Sequence, residues 1–499
     1  MRAPAGPPQR AVCLLAGAAV FALPCVLFYR LILFHFYIRG SALSDTGLLG
    51  SLMWHSTAAL RLPPSLGGES FFAVHVAPVL LLVSAVSDVL PATMPQTFAG
   101  FVGVCHGLLA LAMFWLLVGG YGMRRGAALA LATLAAAAFA FNGLAIAIAR
   151  FPHFEMFAAA CLLLFLVALV LEHRAIAIVA FAAALATRED VGLHAFGFLF
   201  LWAAANRLRG IPWRHDAWIV GFALAGLLYS AAALLVQHFA FPGHSSFVRI
   251  YLGDPPFAGL GLQREGLRLV AWLTLHPSII VPAIATGLWA ARTHMPFLML
   301  GYAACIPWTL LHLLAANTLA GWMVGYYAFP FVVAMAWPWL AVLIRRGEAE
   351  IPAVRAIPLA GLLLAMTALS LLPIGRDWDQ GRTPMPDALL HAPSGSQQAL
   401  TDRAVAAIAA ARPALGRLLV DESVASLSPF AFPRAELAGV ADVRPDTVVF
   451  FPDGFAAAGQ EAATGLPSRY RVPGTALIIA TNRPAETVQG LGLPLEAVP

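Results

Sequence analysis

The chain contains 499 residues, of which 60% are hydrophobic and only 11% are charged, and its formal net charge is +5. Soluble globular proteins carry about 25% charged residues, so the composition predicts a membrane protein. All 30 basic residues are arginine, which excludes reactions that need a lysine, such as Schiff-base formation or P-loop phosphate binding. The arginines lie mainly in short loops beside apolar segments, a pattern that indicates membrane topology and no nucleic-acid partner.

Residues 11–373 form a series of apolar segments, and most of them approach the roughly 20 residues that a transmembrane helix needs. We interpret the series as eleven spans, which predicts an all-α polytopic membrane domain over residues 1–375. The hairpin over 175–206 has a re-entrant loop as its alternative. The predicted spans are about 11–35, 97–119, 127–148, 155–171, 175–187, 191–206, 216–240, 270–291, 297–315, 322–344 and 355–373.

The loops between these spans indicate an orientation. If Met1 is cytoplasmic, every short loop assigned to the cytoplasm contains arginine, as the positive-inside rule requires. An odd number of spans then places the C-terminus in the periplasm, outside the inner membrane. The segment 71–91 contains His75, Pro78 and Asp88, and counting it as a span would invert this arrangement. We therefore predict an outer loop over 36–96 that includes a juxtamembrane helix.

Ionisable residues interrupt the apolar segments at ends that this topology places on the outer face. In ATREDVGL (186–193), three consecutive charges separate two apolar runs. Each such residue alone is explained by snorkelling or a local ion pair, but the whole group predicts a wet functional cavity. The group comprises Asp45, His75, Arg150, His153, Glu155, Arg188, Glu189 and Asp190.

The stretch IARFPHFEM (148–156) adds a local argument. Pro152 is well placed for the first turn of the predicted fourth span, where its missing N–H costs nothing. His153 and Glu155 would then lie beside unpaired backbone N–H groups, a setting that suits an anion or a phosphate. The alternative for Glu155 is a favourable interaction with the helix dipole alone.

Four motifs in this order resemble a large family of multi-span bacterial and archaeal proteins catalogued as domain of unknown function 2079. The resemblance covers roughly residues 35–345. The chain departs from the family in having Phe154 for a proline, Arg188 for a lysine, and Gly50-Ser51 where the family often has D-Q. The matching residues are Asp45, Gly47 and Trp54 of the D-x-G…W motif, His75 and Pro78 of H-x-x-P, His153 and Glu155 of H-x-E, and Arg188, Glu189 and Asp190 at the family's K-E-D.

That family is in turn similar to the C-type glycosyltransferases, which transfer sugars from polyprenyl-phosphate carriers at the outer membrane face. The resemblance implies a polyprenyl-phosphate donor, a glycan or lipid acceptor, and Asp45 as the catalytic carboxylate. A carboxylate is a suitable base for an acceptor hydroxyl, and an arginine fork suits a phosphate. The other seven residues of the group are then candidate substrate ligands. A divalent cation is a candidate cofactor, with His153, Glu155 and Glu189 as its candidate ligands.

Two other classes of protein remain open. A transporter or flippase for a lipid-linked or small polar substrate would also place charges among helices, although nearer the bilayer midplane and often in inverted repeats. The sequence contains no convincing inverted repeat. A non-catalytic scaffold that presents the C-terminal region in the periplasm is the third class.

Residues 376–499 have the composition of a soluble domain. LTDRAVAAIAAARP (400–413) predicts a helix with Thr401 as its N-cap. Three short β-rich runs, RLLVDESV, DTVVFFPD and TALIIATN, predict strands. We therefore expect a linker over 376–394, followed by a small periplasmic α/β domain over 395–499.

Overall fold

The protein is described here from a computed structural model. The structure describes residues 7–345 and 389–498, together with residues 364 and 367, except for gaps at 41–42, 151, 213, 215, 243–247, 254, 258, 324, 442 and 453–457. Almost all of the predicted eleventh span (355–373) and most of the predicted linker (376–394) therefore lie outside the described residues.

Long apolar helices dominate the described part of the chain, which agrees with a membrane protein. Among the described residues, six helices are long and apolar enough to cross a membrane, and two bent helix pairs raise the number to eight if each pair is one span. The bends are 41° in the first pair and 81° in the second. The six helices are Gln9–Arg39, Met94–Gly120, Val191–Leu208, Ala217–Ala240, Pro296–Leu313 and Gly325–Ile344, and the pairs are Gly126–Ala140 with Gly143–Arg150 and Leu262–Leu275 with Pro277–Thr293.

The prediction of eleven spans is therefore wrong. Two of the predicted spans are the helices Glu155–Val170 and Arg174–Leu185, which have only 16 and 12 residues. At about 1.5 Å per residue they are roughly 24 and 18 Å long, short of a hydrocarbon core of about 30 Å. Hydrophobicity alone does not distinguish a short buried helix from a span. The orientation of the termini depended on the odd count, so it stays a prediction.

The chain divides into two compact units. The first unit comprises Met1–Val26, Phe72–Val79 and Val102–Pro384, and the second comprises Leu27–Phe71, Leu80–Phe101 and Met385–Pro499.

In the first unit, consecutive helices pack on each other in pairs. Helix Glu155–Val170 packs on Arg174–Leu185, and helix Val191–Leu208 packs on Ala217–Ala240. The second pair approaches very closely, since a Cβ atom on Gly192 would lie only 2.1 Å from the carbonyl oxygen of Gly226. Helix Phe329–Ile344 is almost wholly buried. The unit also contains the shorter helical segments Val248–Leu252, Pro296–Met299, Leu300–Ala304, Ile306–Leu313, Thr318–Trp322 and Gly325–Ala328.

In the second unit, the segment after the first helix is irregular. It contains the π-helical turn Leu43–Gly47, the helix Leu48–Met53 and the 3-10 turn Pro64–Leu66. Within the predicted juxtamembrane segment 71–91, the structure has a 3-10 turn over Phe71–Ala73 and a helix of nine residues over Val79–Ser87.

The C-terminal part of the second unit contains a five-stranded mixed sheet. The strands are β1 (Leu418–Val420), β2 (Thr447–Phe450), β3 (Ser468–Arg471), β4 (Ile478–Thr481) and β5 (Glu496–Val498). The order is β1-β2-β4-β3-β5; β1 and β2 are parallel and the other pairs are antiparallel. The central strands β2 and β4 are buried along their whole length, which explains their continuous runs of valine and isoleucine.

Helices flank this sheet. The longest, Gly395–Ala410, begins at Ser394, whose hydroxyl accepts from the backbone of Gln397 in a capping box. The prediction of Thr401 as the N-cap is therefore wrong: Thr401 is buried in the helix and its hydroxyl donates to the carbonyl of Gln397. The shorter helices are Glu422–Ala425, Arg434–Glu436 (3-10), Ala458–Ala462 and Ala485–Gln489.

Candidate functional site

Three segments of the first unit bring six of the predicted site residues together. The loop between helices Arg174–Leu185 and Val191–Leu208 supplies Arg188, Glu189 and Asp190. The start of helix Glu155–Val170 supplies Glu155, with His153 just before it. His75 comes from the segment that precedes helix Val79–Ser87. We call these six residues the charged cluster.

Arg188 is the centre of the charged cluster. Its Nη1 donates to Glu155 Oε1 at 2.6 Å, and its Nε donates to Asp190 Oδ1 at 2.7 Å. Its Nη2 donates to the second oxygen of Asp190, so the guanidinium binds this carboxylate through both oxygens. Arg188 is only 3% exposed. Because its fork already holds two carboxylates, Arg188 in this conformation positions those acids and does not face solvent.

Glu189 connects the same loop to the segment around His75. One carboxylate oxygen lies 2.9 Å from His75 Nδ1, and the other accepts from the backbone N–H of Val76 at 2.9 Å. The backbone N–H of Val79 donates to the carbonyl of Ala186, which fixes the same two segments together. At 22%, the His75 side chain is the most exposed of the cluster, so the cluster meets solvent mainly through this residue.

His153 pairs with Glu155 through Nδ1 and Oε2. On its other side, the imidazole ring stacks on Tyr326 with a centroid separation of 3.9 Å. The helix begins at Glu155, where the predicted fourth span begins, so Pro152 and His153 precede its first turn and do not lie in it. Glu155 is fully buried and shared between His153 and Arg188.

Aromatic rings pack against Arg188 and the neighbouring His194. The Arg188 Cζ atom lies 5.8 Å from the ring centroids of both Trp308 and Phe329, a cation–π distance. His194, one helical turn after Asp190, meets Trp308 edge to face at 4.7 Å. Sequence reasoning missed His194, Tyr326 and Trp308. The spacing of four residues between Asp190 and His194 was the one available signal, because it places both on the same helix face.

The electrostatics of the loop follow from this pairing. Burial raises the pKa of Asp190, but the Arg188 guanidinium outweighs it and lowers that pKa to about 2. Burial opposes ionisation of Arg188, yet Asp190, Glu155 and Glu189 hold its pKa well above the usual range. The cluster thus combines one fixed cation with three carboxylates and two histidines, an arrangement rich in proton acceptors.

The candidate metal ligands do not form a metal site. Both oxygens of Glu155 are paired with Arg188 and His153, and both oxygens of Glu189 are paired with His75 and Val76. Among the residues that the structure describes, no group of three or more His, Cys, Asp or Glu side chains could hold a metal ion. The proposed chemistry therefore includes no step through a divalent cation.

The two other predicted site residues, Arg150 and Asp45, belong to other elements. Arg150 is the last residue of helix Gly143–Arg150 and is half-buried. Asp45 belongs to the second unit, where it is half-buried in the π-helical turn Leu43–Gly47. Its convergence with the charged cluster stays a prediction.

Comparison with known proteins adds no assignment. The chain matches no protein-family model, and no curated protein is significantly similar to it. The resemblance to the family described above, and through it to the C-type glycosyltransferases, therefore remains a hypothesis carried by the motifs.

Proposed function

We propose that the protein is a membrane glycosyltransferase that transfers a sugar from a polyprenyl-phosphate carrier to a glycan or lipid acceptor. The proposed fold of the membrane domain is that of the C-type glycosyltransferases. The supporting observation is the position of the charged cluster. Its residues lie where helices begin and end, and not in the middle of the helices. Such a position suits a substrate that is taken from one membrane face.

The reaction needs a base for the acceptor hydroxyl and a leaving group that departs without protonation. We propose that Asp45 takes the proton of the acceptor hydroxyl. The oxygen of that hydroxyl then forms a bond to the anomeric carbon of the sugar. The bond between that carbon and the phosphate oxygen breaks, and the polyprenyl phosphate leaves with the electron pair. The phosphate is already an anion, so no protein acid has to protonate it.

The contacts of Arg188 change the role that we propose for it. Three carboxylates surround this one arginine, so a phosphate at Arg188 would meet three negative charges. We assign the donor phosphate to Arg150 instead. The charged cluster then orients the sugar or the acceptor, since carboxylates and histidines accept hydrogen bonds from hydroxyl groups.

The proposed location is the inner membrane, with a cytoplasmic N-terminus and residues 395–499 in the periplasm. Reporter fusions test this orientation directly. Alkaline phosphatase fused after Pro499 should be active, because that enzyme folds only in the periplasm, whereas green fluorescent protein fused there should stay dark. The opposite pair of results would invert the orientation and place the C-terminal sheet in the cytoplasm.

The experiment on activity uses purified full-length protein in nanodiscs and a panel of labelled polyprenyl-phosphate sugars. We expect release of polyprenyl phosphate from at least one donor, with the label appearing in a membrane or glycan acceptor. Failure of every donor in a broad panel would contradict the proposal.

A transporter is the second candidate, and one observation favours it. Two histidine–carboxylate pairs, His75–Glu189 and His153–Glu155, lie in a largely buried cluster, and such chains relay protons in pumps and transporters. Flux of a lipid-linked or polar solute in proteoliposomes, dependent on a proton gradient and abolished by Glu155→Gln, would favour this function over glycosyl transfer.

A further inference from the structure

A second polar site lies at the other end of the helices that carry the charged cluster. In the first unit, a cavity of about 510 Å³ is lined by Val170 at the end of its helix and by Arg174 at the start of the next. Helix Glu155–Val170 has 16 residues, so the cavity is roughly 24 Å from the charged cluster along this helix. The two sites are therefore separate.

The walls of the cavity come from five helix ends. Trp202 and Asn206 belong to the last turns of helix Val191–Leu208, and Asp216 precedes helix Ala217–Ala240. Trp218 lies in the first turn of that helix, and Arg345 follows helix Phe329–Ile344. Five elements thus converge on one polar space beside otherwise apolar helices.

Among the described residues, no hydrogen-bond partner is present for Trp202 Nε1, Asn206 Oδ1 or Asp216 Oδ2, which belong to residues of these walls. All three residues are at least nine-tenths buried, with exposures of 6%, 6% and 2%. The other polar side-chain atoms of Asn206 and Asp216 bond to each other, since Asn206 Nδ2 donates a hydrogen bond to Asp216 Oδ1 at 2.7 Å. Buried polar atoms are nearly always hydrogen-bonded, so one donor and two acceptors here indicate a bound molecule.

The charges around the cavity have both signs. Arg174 lies over the ring of Trp218, 5.1 Å from its centroid, and Arg345 adds a second, buried cation. Asp216 is the buried acid, and Glu172 is an exposed one. The walls therefore present both cationic and anionic groups, and a molecule with an anionic and a cationic part is complementary to them.

We propose that this cavity binds a phosphate ester that carries a primary ammonium group. The ammonium donates to Asp216 Oδ2 and Asn206 Oδ1, which are the two acceptors without partners. The phosphate accepts from Trp202 Nε1 and from the guanidinium groups of Arg174 and Arg345. A volume of about 510 Å³ is in the usual range for a small-molecule site of about 300–1,000 Å³.

Two sources can supply this chemistry, a phospholipid headgroup or a soluble metabolite. The rim favours the lipid, because Trp and Arg are typical of the membrane–water interface and Trp218 is 46% exposed. Phosphatidylethanolamine is the probe for the lipid source and free phosphoethanolamine is the probe for the soluble source. Both carry the same two charged groups. Phosphatidylcholine is the matched negative probe, since its quaternary ammonium has no N–H to donate.

The test measures binding of labelled phosphatidylethanolamine to delipidated full-length protein in detergent, by native mass spectrometry and by titration. We expect phosphatidylethanolamine to bind about tenfold more tightly than phosphatidylcholine, as is typical of one charge-assisted hydrogen bond. Asp216→Asn should remove this preference. Trp202→Phe should weaken both lipids alike, because it removes a donor to the phosphate that they share.

Two control variants make the result specific. Asp88→Asn and Trp289→Phe change the same residue types away from the cavity and should leave binding unchanged. If phosphoethanolamine at similar concentration displaces labelled phosphatidylethanolamine, the site binds a soluble ligand. If phosphoethanolamine does not displace it, the site binds the lipid. Equal binding of the two lipids by the wild-type protein, or insensitivity to both Asp216→Asn and Trp202→Phe in folded protein, would overturn the proposal and leave the cavity to water.

Discussion

Arg188 and Glu155 are 33 positions apart in the chain, yet Arg188 Nη1 lies 2.6 Å from Glu155 Oε1 and both side chains are at most 4% exposed. This ion pair joins the loop of one helical hairpin to the start of the preceding helix. Attraction between buried charges is opposed by the cost of removing them from water, so such a pair is stable only when all of its partners are present.

The first prediction concerns this dependence on complete pairing. Arg188→Leu should lower the free energy of unfolding by about 3–5 kcal/mol, because it leaves Glu155 and Asp190 buried without their cation. Thermal unfolding in detergent, followed by tryptophan fluorescence, measures the change. Adding Glu155→Leu and Asp190→Leu to Arg188→Leu should recover part of the loss, since the isolated buried charges are then gone.

Arg264 provides the matched control for Arg188. It makes an ion pair of the same 2.6 Å length with Glu265, but its side chain is 30% exposed. Arg264→Leu should therefore cost less than about 1 kcal/mol. Equal losses in the free energy of unfolding for the two variants would show that burial of the ion pair at Arg188 does not make its loss more costly.

The second prediction concerns the close crossing of helices Val191–Leu208 and Ala217–Ala240. Gly192→Ala should destabilise the protein by about 1–3 kcal/mol, because the new methyl group would overlap the backbone of Gly226. Gly221→Ala is the control on the partner helix, since nothing lies within 4 Å of a Cβ atom there. It should leave stability unchanged or slightly higher, as alanine favours a helix more than glycine does. Similar melting temperatures for the two variants would contradict the crossing.

The third prediction is a pH dependence that arises in the second unit. Burial raises the pKa of Asp402 to about 6, although the Tyr37 hydroxyl, at 3.1 Å, lowers it somewhat. The folded state thus binds more protons than the unfolded state between about pH 4 and 6, and stability should fall as pH rises through this window. The expected loss is on the order of 1–2 kcal/mol, since the carboxyl is partly screened by solvent.

Melting temperatures measured from pH 4 to 8 test this assignment. Asp402→Asn should remove the fall in stability and leave the variant more stable than the wild type at pH 7. Tyr37→Phe should move the fall to higher pH, because the hydrogen bond that favours the ionised carboxylate is lost. Parallel curves for the wild type and Asp402→Asn would show that Asp402 is not the group responsible.

The long helices and the central strands could be predicted from the sequence. Helix Met94–Gly120 agrees with the predicted span 97–119, and strands β2 and β4 lie in the predicted runs, because continuous apolar segments of this length leave few alternatives. The neighbouring strands β3 and β5, of which only β5 lies at an edge of the sheet, were missed. Both strands are short and only partly buried. Their pairing with a neighbouring strand defines them, whereas their own composition does not indicate a strand.

The candidate site was predictable in part. The sequence predicted that the charged residues lie at the ends of several apolar segments, and the structure brings six of them into contact. The sequence could not indicate that Glu155 and Asp190 form ion pairs with the guanidinium of Arg188, because these pairs depend on the packing of separate helices. The cavity around Asp216 was missed for the same reason: its residues are unremarkable singly and converge only in the fold.

The central claim is tested most directly by sugar transfer with Asp45→Asn and Asp88→Asn compared with wild-type protein. Both substitutions keep size and most hydrogen bonding but remove a carboxylate, and Asp88 lies in the same unit, paired with His55 at an exposed position. We predict that Asp45→Asn abolishes transfer from the polyprenyl-phosphate donor in folded, membrane-inserted protein, while Asp88→Asn keeps most of the wild-type rate. Full activity of Asp45→Asn would contradict the assignment of Asp45 as the base.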